Sequence, residues 1–220
     1  MATLSSSISS QGFHFTVSTT ISVPGTLDIS HSRLHVVYDL DPHVYADLYE
    51  LAQRPGYSSF LWGTSDLEKP VFAVPSNNSV LLLTADTSRL VAPANITLDV
   101  PLHARYGRPV ASRTTDTFYR ITLEKPLGFL TFDLHHSTGI PEPLGSYASL
   151  AGWPSNISAI ISDATSADRL QVTIPVGVSD DLAWVDVGTA VVMLTMFFYL
   201  AHASLRTVKR LSRKTSTKTE

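Results

Sequence analysis

The residues with the most chemical capacity in this chain are a His, two Arg and a Tyr crowded into one run. It reads Asp99-Val100-Pro101-Leu102-His103-Ala104-Arg105-Tyr106-Gly107-Arg108-Pro109. On an extended backbone, alternation places His103 and Arg105 on one face, with Leu102, Ala104 and Tyr106 on the other. An imidazole beside a guanidinium suits recognition of a carboxylate, a phosphate or backbone carbonyls. The same pair on an internal strand serves equally well as a polar face satisfied by its neighbours. The densest histidine cluster, Asp133-Leu134-His135-His136, invites a metal reading. On a strand Asp133 and His135 share a face while His136 points away, so three ligands do not converge and no metal site is expected. Gly-rich phosphate loops, a Gly-x-Ser-x-Gly elbow and cysteines are absent from the sequence, so phosphate cradling, serine-elbow and thiol chemistry lack their residues. Neither a catalytic residue nor a cofactor is expected.

The elements that must carry these residues have a period of two. Phe13, Phe15, Val17, Thr19, Ile21 and Val23 alternate with His14, Thr16, Ser18, Thr20 and Ser22, which places aromatic and branched residues on one face of a strand. Shorter strand-like runs follow at Leu34 to Tyr38, Val71 to Val74, Val80 to Thr84, Ile96 to Val100, Phe118 to Leu123, Phe129 to Leu134, Ala159 to Ser162 and Leu170 to Val176. Turn formers such as Pro24-Gly25, Pro75 to Asn78 and Gly152-Trp153-Pro154 separate them. This spacing predicts an all-β, antiparallel β-sandwich over residues 13–179. One segment departs from it: in Asp41 to Leu51 the apolar residues Val44, Leu48 and Leu51 recur at helical spacing. One or two helical turns are expected there, with Asp41 as the cap and Pro42 in the first turn.

A different element closes the chain. Val187 to Leu205 contains no Asp, Glu, Lys or Arg. A helix over 182–205 rises a little over ~30 Å, enough for one membrane crossing. Trp184 and Tyr199 sit near its ends, where amphipathic rings favour the interface. Arg206, Lys209, Arg210, Arg213, Lys214 and Lys218 follow, six of the sixteen basic residues, whereas Asp180, Asp181 and Asp186 stand before or just inside the span. Basic flanks stay cytosolic. Residues 206–220 are therefore expected to be a basic cytosolic tail, with the bulk of the chain across the membrane in a lumen or outside the cell.

Three acceptor patterns, at Asn77, Asn95 and Asn156, all fall in the expected lumenal part and are candidate glycosylation sites. Residues 1–12 show neither a basic nor an apolar leader region, and they are expected to be disordered. Without the six basic tail residues and Glu220, ten Lys and Arg face eighteen Asp and Glu. That balance argues against nucleic acid as a partner.

Three segments in order resemble the PIG-X family. Pro101 to Pro109 is similar to its Pro-x-His-x-Arg-Tyr-x-x-Pro signature. Val44-Tyr45-Ala46-Asp47-Leu48-Tyr49-Glu50-Leu51 is similar to its Val-Tyr-x-Asp-x-Tyr-Glu-Leu segment, and Val172 to Gly177 to its closing strand. The resemblance implies a non-catalytic role in the endoplasmic reticulum membrane, with the bulk of the chain lumenal. Proteins of this family stabilise PIG-M, the multi-spanning catalytic subunit of glycosylphosphatidylinositol (GPI) mannosyltransferase I, which adds the first mannose from dolichol-phosphate-mannose. On that reading Tyr45, Asp47, Tyr49, Glu50, His103, Arg105, Tyr106 and Pro109 form a partner-binding or structural motif. The alternatives are a general lumenal chaperone, or a single-span lumenal hydrolase using His103 or the Asp133/His135 pair.

Overall fold

A computed structural model describes residues 2–9, 11–27, 29, 31–67, 69–87, 92–112, 116–132, 139–161 and 169–216. The described strands are β1 (Thr3–Ile8), β2 (His14–Val23), β3 (Ser32–Leu40), β4 (Val44–Tyr45), β5 (Ser58–Trp62), β6 (Ser79–Asp86), β7 (Ala94–Ala104), β8 (Phe118–Leu123), β9 (Leu127–Phe132), β10 (Ile157–Ile161) and β11 (Leu170–Pro175). Two α-helices join them, α1 (Leu48–Ala52) and α2 (Leu182–Ser216). The chain divides into two compact units. One is 1–108 with 118–176, and the other is 109–117 with 177–220.

The first unit is built from antiparallel sheets. One has the order β1-β2-β7-β4, a second the order β10-β9-β3-β6-β5, and a third pairs β11 with β8. The alternation read along β2 is the observed burial: Phe15, Val17, Thr19, Ile21 and Val23 are buried, and the residues between them are not. Phe15, Val17, Ile21 and Val23 share a hydrophobic cluster with Leu34, Val36 and Tyr38 of β3, Leu81 and Leu83 of β6, Ile121 of β8, and Val172 and Ile174 of β11. Thr19 is polar yet fully buried, because its hydroxyl accepts from Tyr38 Oη at 2.8 Å and bonds Ser6 Oγ at 3.0 Å.

The five-stranded sheet is covered on both faces, which explains why β3 and β6 read as continuous apolar runs rather than alternating ones. On its other face Val37, Leu82, Phe129, Leu144, Trp153 and Ile157 form a second cluster. The cover is the 144–153 segment, in which Tyr147 stacks on Trp153 with ring centroids 5.4 Å apart. His35 is buried on that face. Its Nδ1 bonds Thr84 Oγ1 and its Nε2 bonds Thr131 Oγ1, each at 2.9 Å, and its ring stacks on Phe129. Burial, reinforced by the Arg33 charge, lowers its pKa to about 4.

Three expectations are corrected. The N-terminal residues expected to be disordered include a strand, since β1 pairs with β2 from Thr3↔Ser22 to Ile8↔Val17. Thr3, Ser5 and Ser7 are exposed and alternate with Leu4, Ser6 and Ile8, so a polar composition concealed a period of two. Val71–Ala73 is a single 3-10 turn rather than a strand, entered from Pro70 and held by Val71 N–H donating to the Tyr106 carbonyl at 3.3 Å. The helix expected from Asp41 begins later. Asp47 is the cap and its carboxylate accepts from Tyr49 N–H at 2.8 Å, while Val44 and Tyr45 are strand. Asp41 instead closes a turn onto the backbone and ring of His43.

The second unit is carried by α2. Val110 pairs with Val178 in a parallel bridge, its N–H donating to Gly177 at 2.9 Å and its carbonyl accepting from Ser179 at 2.8 Å. Pro109 lies just ahead of this bridge. Ser179–Leu211 is long and apolar enough to cross a membrane, and none of that stretch is buried against protein. The helix continues past the expected end at 205 into the basic segment, to Ser216.

Candidate functional site

The two motif segments meet on the four-stranded sheet. Register places His14 of β2 opposite His103 of β7, and Tyr45 of β4 opposite the same His103. Residues directly opposite in adjacent antiparallel strands share a face, so the three rings form a cross-strand stack. His14 and His103 centroids lie 4.6 Å apart, and Tyr45 lies 5.1 Å from His103 at an interplanar angle of 11°. The Arg105 guanidinium continues the ladder 4.6 Å from the Tyr45 ring centroid.

Arg105 is 2% exposed. Its Nη1 donates to the carbonyl of Lys69 at 2.9 Å and to that of Asp66, and its backbone N–H donates to the His43 carbonyl at 2.7 Å. Burial pulls its pKa down, while Tyr45 and the Asp66 charge act the other way. A buried guanidinium that gathers two carbonyls of the 66–69 loop is a brace. Tyr106 differs: it is 70% exposed and touches Phe13 at a centroid distance of 4.7 Å. Both follow the end of β7 at Ala104, and Tyr106 is exposed although Leu102 and Ala104, expected to share its face, are buried.

The helix supplies the acid. Asp47 caps α1, Tyr49 points to solvent at 82% exposed, and Glu50 turns toward the sheet. One Glu50 oxygen lies 2.9 Å from His103 Nε2, and the other lies 3.3 Å from His14 Nε2 and 3.5 Å from Arg54 Nη2. Burial alone would raise the Glu50 pKa, but the His103 bond and the two imidazoles outweigh it, and the carboxyl sits below its ordinary range. Tyr45 is raised by burial, partly offset by Arg105.

Six of the eight motif residues therefore belong to one neighbourhood: Tyr45, Asp47, Glu50, His103, Arg105 and Tyr106. Tyr49 faces away, and Pro109 belongs to the second unit. The sequence reading missed His14. It stood at the polar start of the β2 alternation, but nothing in sequence spacing says which residue of β7 it opposes. Asp133, His135 and His136 lie outside the described residues.

Beside the motif, a pocket of about 280 Å³ is lined by His43, Val71, Phe72, Gly107, Arg108, Tyr119 and Val176. His43 stacks on Tyr119 at 4.8 Å, and Arg108 lies over the exposed Phe72 ring at 5.8 Å. The candidate sequons differ in availability. Asn77 and Asn95 are exposed, whereas Asn156 is half-buried and its Nδ2 donates to the Phe132 carbonyl at 3.2 Å.

A family model described as PIG-X / PBN1 matches residues 10–205. No curated protein and no solved structure matches the chain.

Proposed function

The chain belongs to the PIG-X / PBN1 family, and from that premise we propose that it is a non-catalytic subunit of GPI-anchor biosynthesis. It binds and stabilises the catalytic subunit of GPI mannosyltransferase I in the endoplasmic reticulum membrane. The observation that carries this reading is the extent of the match, residues 10–205, which takes in strands β2 to β11 and most of the apolar helix.

In this reading the four- and five-stranded sheets, whose side chains enter one cluster, are the layers of a lumenal β-sandwich. Helix α2 is a single span, and its basic end stays cytosolic. Large apolar side chains exposed along it, among them Val191, Leu194, Phe197 and Leu200, support a lipid or protein environment rather than water. The motif divides by role. Arg105 and the His103–Glu50 pair brace the sheet to α1 and the 66–69 loop, while exposed Tyr106, Phe72 and Arg108 contact the lumenal loops of the partner. A subunit that binds only the folded partner raises the partner's stability by mass action.

Capture of the full chain in mild detergent tests this. Recovery of one multi-spanning mannosyltransferase in stoichiometric amount supports the subunit role. Many unrelated lumenal clients would replace it with a chaperone, and hydrolytic turnover by the purified chain alone would replace it with an enzyme.

A further inference from the structure

We propose that His14, Glu50 and His103 form a binding site for a zinc-type divalent cation, independent of the accessory role. Three elements build it: β2 contributes His14, β7 the register-matched His103, and α1 Glu50. Each offers one ligand atom, and the three atoms lie within 4.8 Å of one another. Tetrahedral zinc with bonds of about 2.0–2.1 Å holds its donors roughly 3.3 Å apart. His103 Nε2 lies 2.9 Å from one Glu50 oxygen and His14 Nε2 lies 3.3 Å from the other, so a small turn of the carboxylate that brings one oxygen toward both imidazoles is the movement required.

The donor set selects the ion. Two imidazole nitrogens and one carboxylate suit zinc and its transition-metal neighbours, whereas magnesium and calcium favour all-oxygen shells. Three protein ligands leave the fourth position to water or to a partner's side chain. The ring of His103 is held flat between His14 and Tyr45, so its Nε2 is aimed before any ion arrives. The Arg54 guanidinium opposes a cation: it lies 3.5 Å from Glu50, on a side chain 43% exposed that can turn to solvent. In a chain without cysteine, such an ion would tie α1 to two strands in the way a disulfide does elsewhere.

The test uses the full-length chain with a tag free of histidine, purified in detergent and stripped with chelator, and zinc sulfate as the probe. Calorimetric titration at pH 7.5 should give one zinc per chain. At pH 5.5 binding should weaken, because protons compete with zinc for its ligands. His14→Ala alters an exposed residue and should weaken binding roughly tenfold or more, with unchanged unfolding temperature in chelator. Glu50→Gln should likewise weaken binding, and Arg54→Ala should tighten it. Zinc should raise the unfolding temperature of the wild type and leave that of His14→Ala unmoved. Absence of stoichiometric binding at pH 7.5, or wild-type affinity in His14→Ala and Glu50→Gln, would overturn the site and leave these residues a hydrogen-bonded trio.

Discussion

Acidification should destabilise the chain through the buried imidazole of His35. The ring is enclosed between Thr84, Thr131 and Phe129, and its pKa falls from 6.5 to about 4. Between these values the unfolded chain takes up a proton that the folded chain refuses, so stability is complete above pH 6.5 and is lost as pH falls toward 4. A gap of about 2.5 pH units corresponds to about 3 kcal/mol in full, and to about 2 kcal/mol between pH 7.5 and pH 5. Denaturant unfolding of the full chain in detergent, followed by tryptophan fluorescence at several pH values, measures the slope. His35→Gln removes the titrating group, so whatever its own stability, its curve should be flatter than wild type by about 2 kcal/mol over that interval. Parallel curves for the two proteins would show that His35 titrates normally and that the enclosure argument is wrong.

Arg105→Ala removes two bonds from a charged donor to carbonyls, and should cost roughly 3 kcal/mol in denaturant unfolding. Arg105→Lys should recover only part of this, because an ammonium lacks the planar fork and the stack on Tyr45. Tyr106→Ala and Arg108→Ala change exposed side chains and should leave unfolding within about 0.5 kcal/mol of wild type, yet reduce capture of the mannosyltransferase in detergent pulldown. Among the sequons, Asn77→Gln and Asn95→Gln should each remove one glycosidase-sensitive gel shift. Asn156→Gln should not, since that amide is occupied by the Phe132 carbonyl.

How far sequence spacing reached depends on what each signal encodes. The strand at 14–23 was visible because one face is packed and the other is polar, so burial writes a period of two directly into residue choice. Continuous apolar runs at β3 and β6 marked strands too, but not the 144–153 cover that makes them apolar on both faces. That cover is a short 3-10 helix, Leu144–Tyr147, followed by turns, and its Tyr147 and Trp153 carry no periodicity. Strand β1 was hidden by serine, which composition reads as disorder while Leu4 packs into the core. Helix α1 was placed early because Asp41 and Asp47 are both competent caps, and only the pairing of Val44–Tyr45 with β7 decides between them. Motif spacing brought His103 and Arg105 to notice, and family resemblance joined Glu50 to them. The contact itself depends on cross-strand register and on a loop closing over the sheet, which are long-range facts that local spacing does not contain.

The account rests on the chain acting as the stabilising partner of a mannosyltransferase. The most direct measurement follows first-mannose transfer from dolichol-phosphate-mannose in microsomes depleted of this chain, with the abundance of the catalytic subunit read from the same membranes. Both should fall together and return together when the wild-type chain is restored. Normal abundance of the catalytic subunit with undiminished transfer in the depleted membranes would contradict the account.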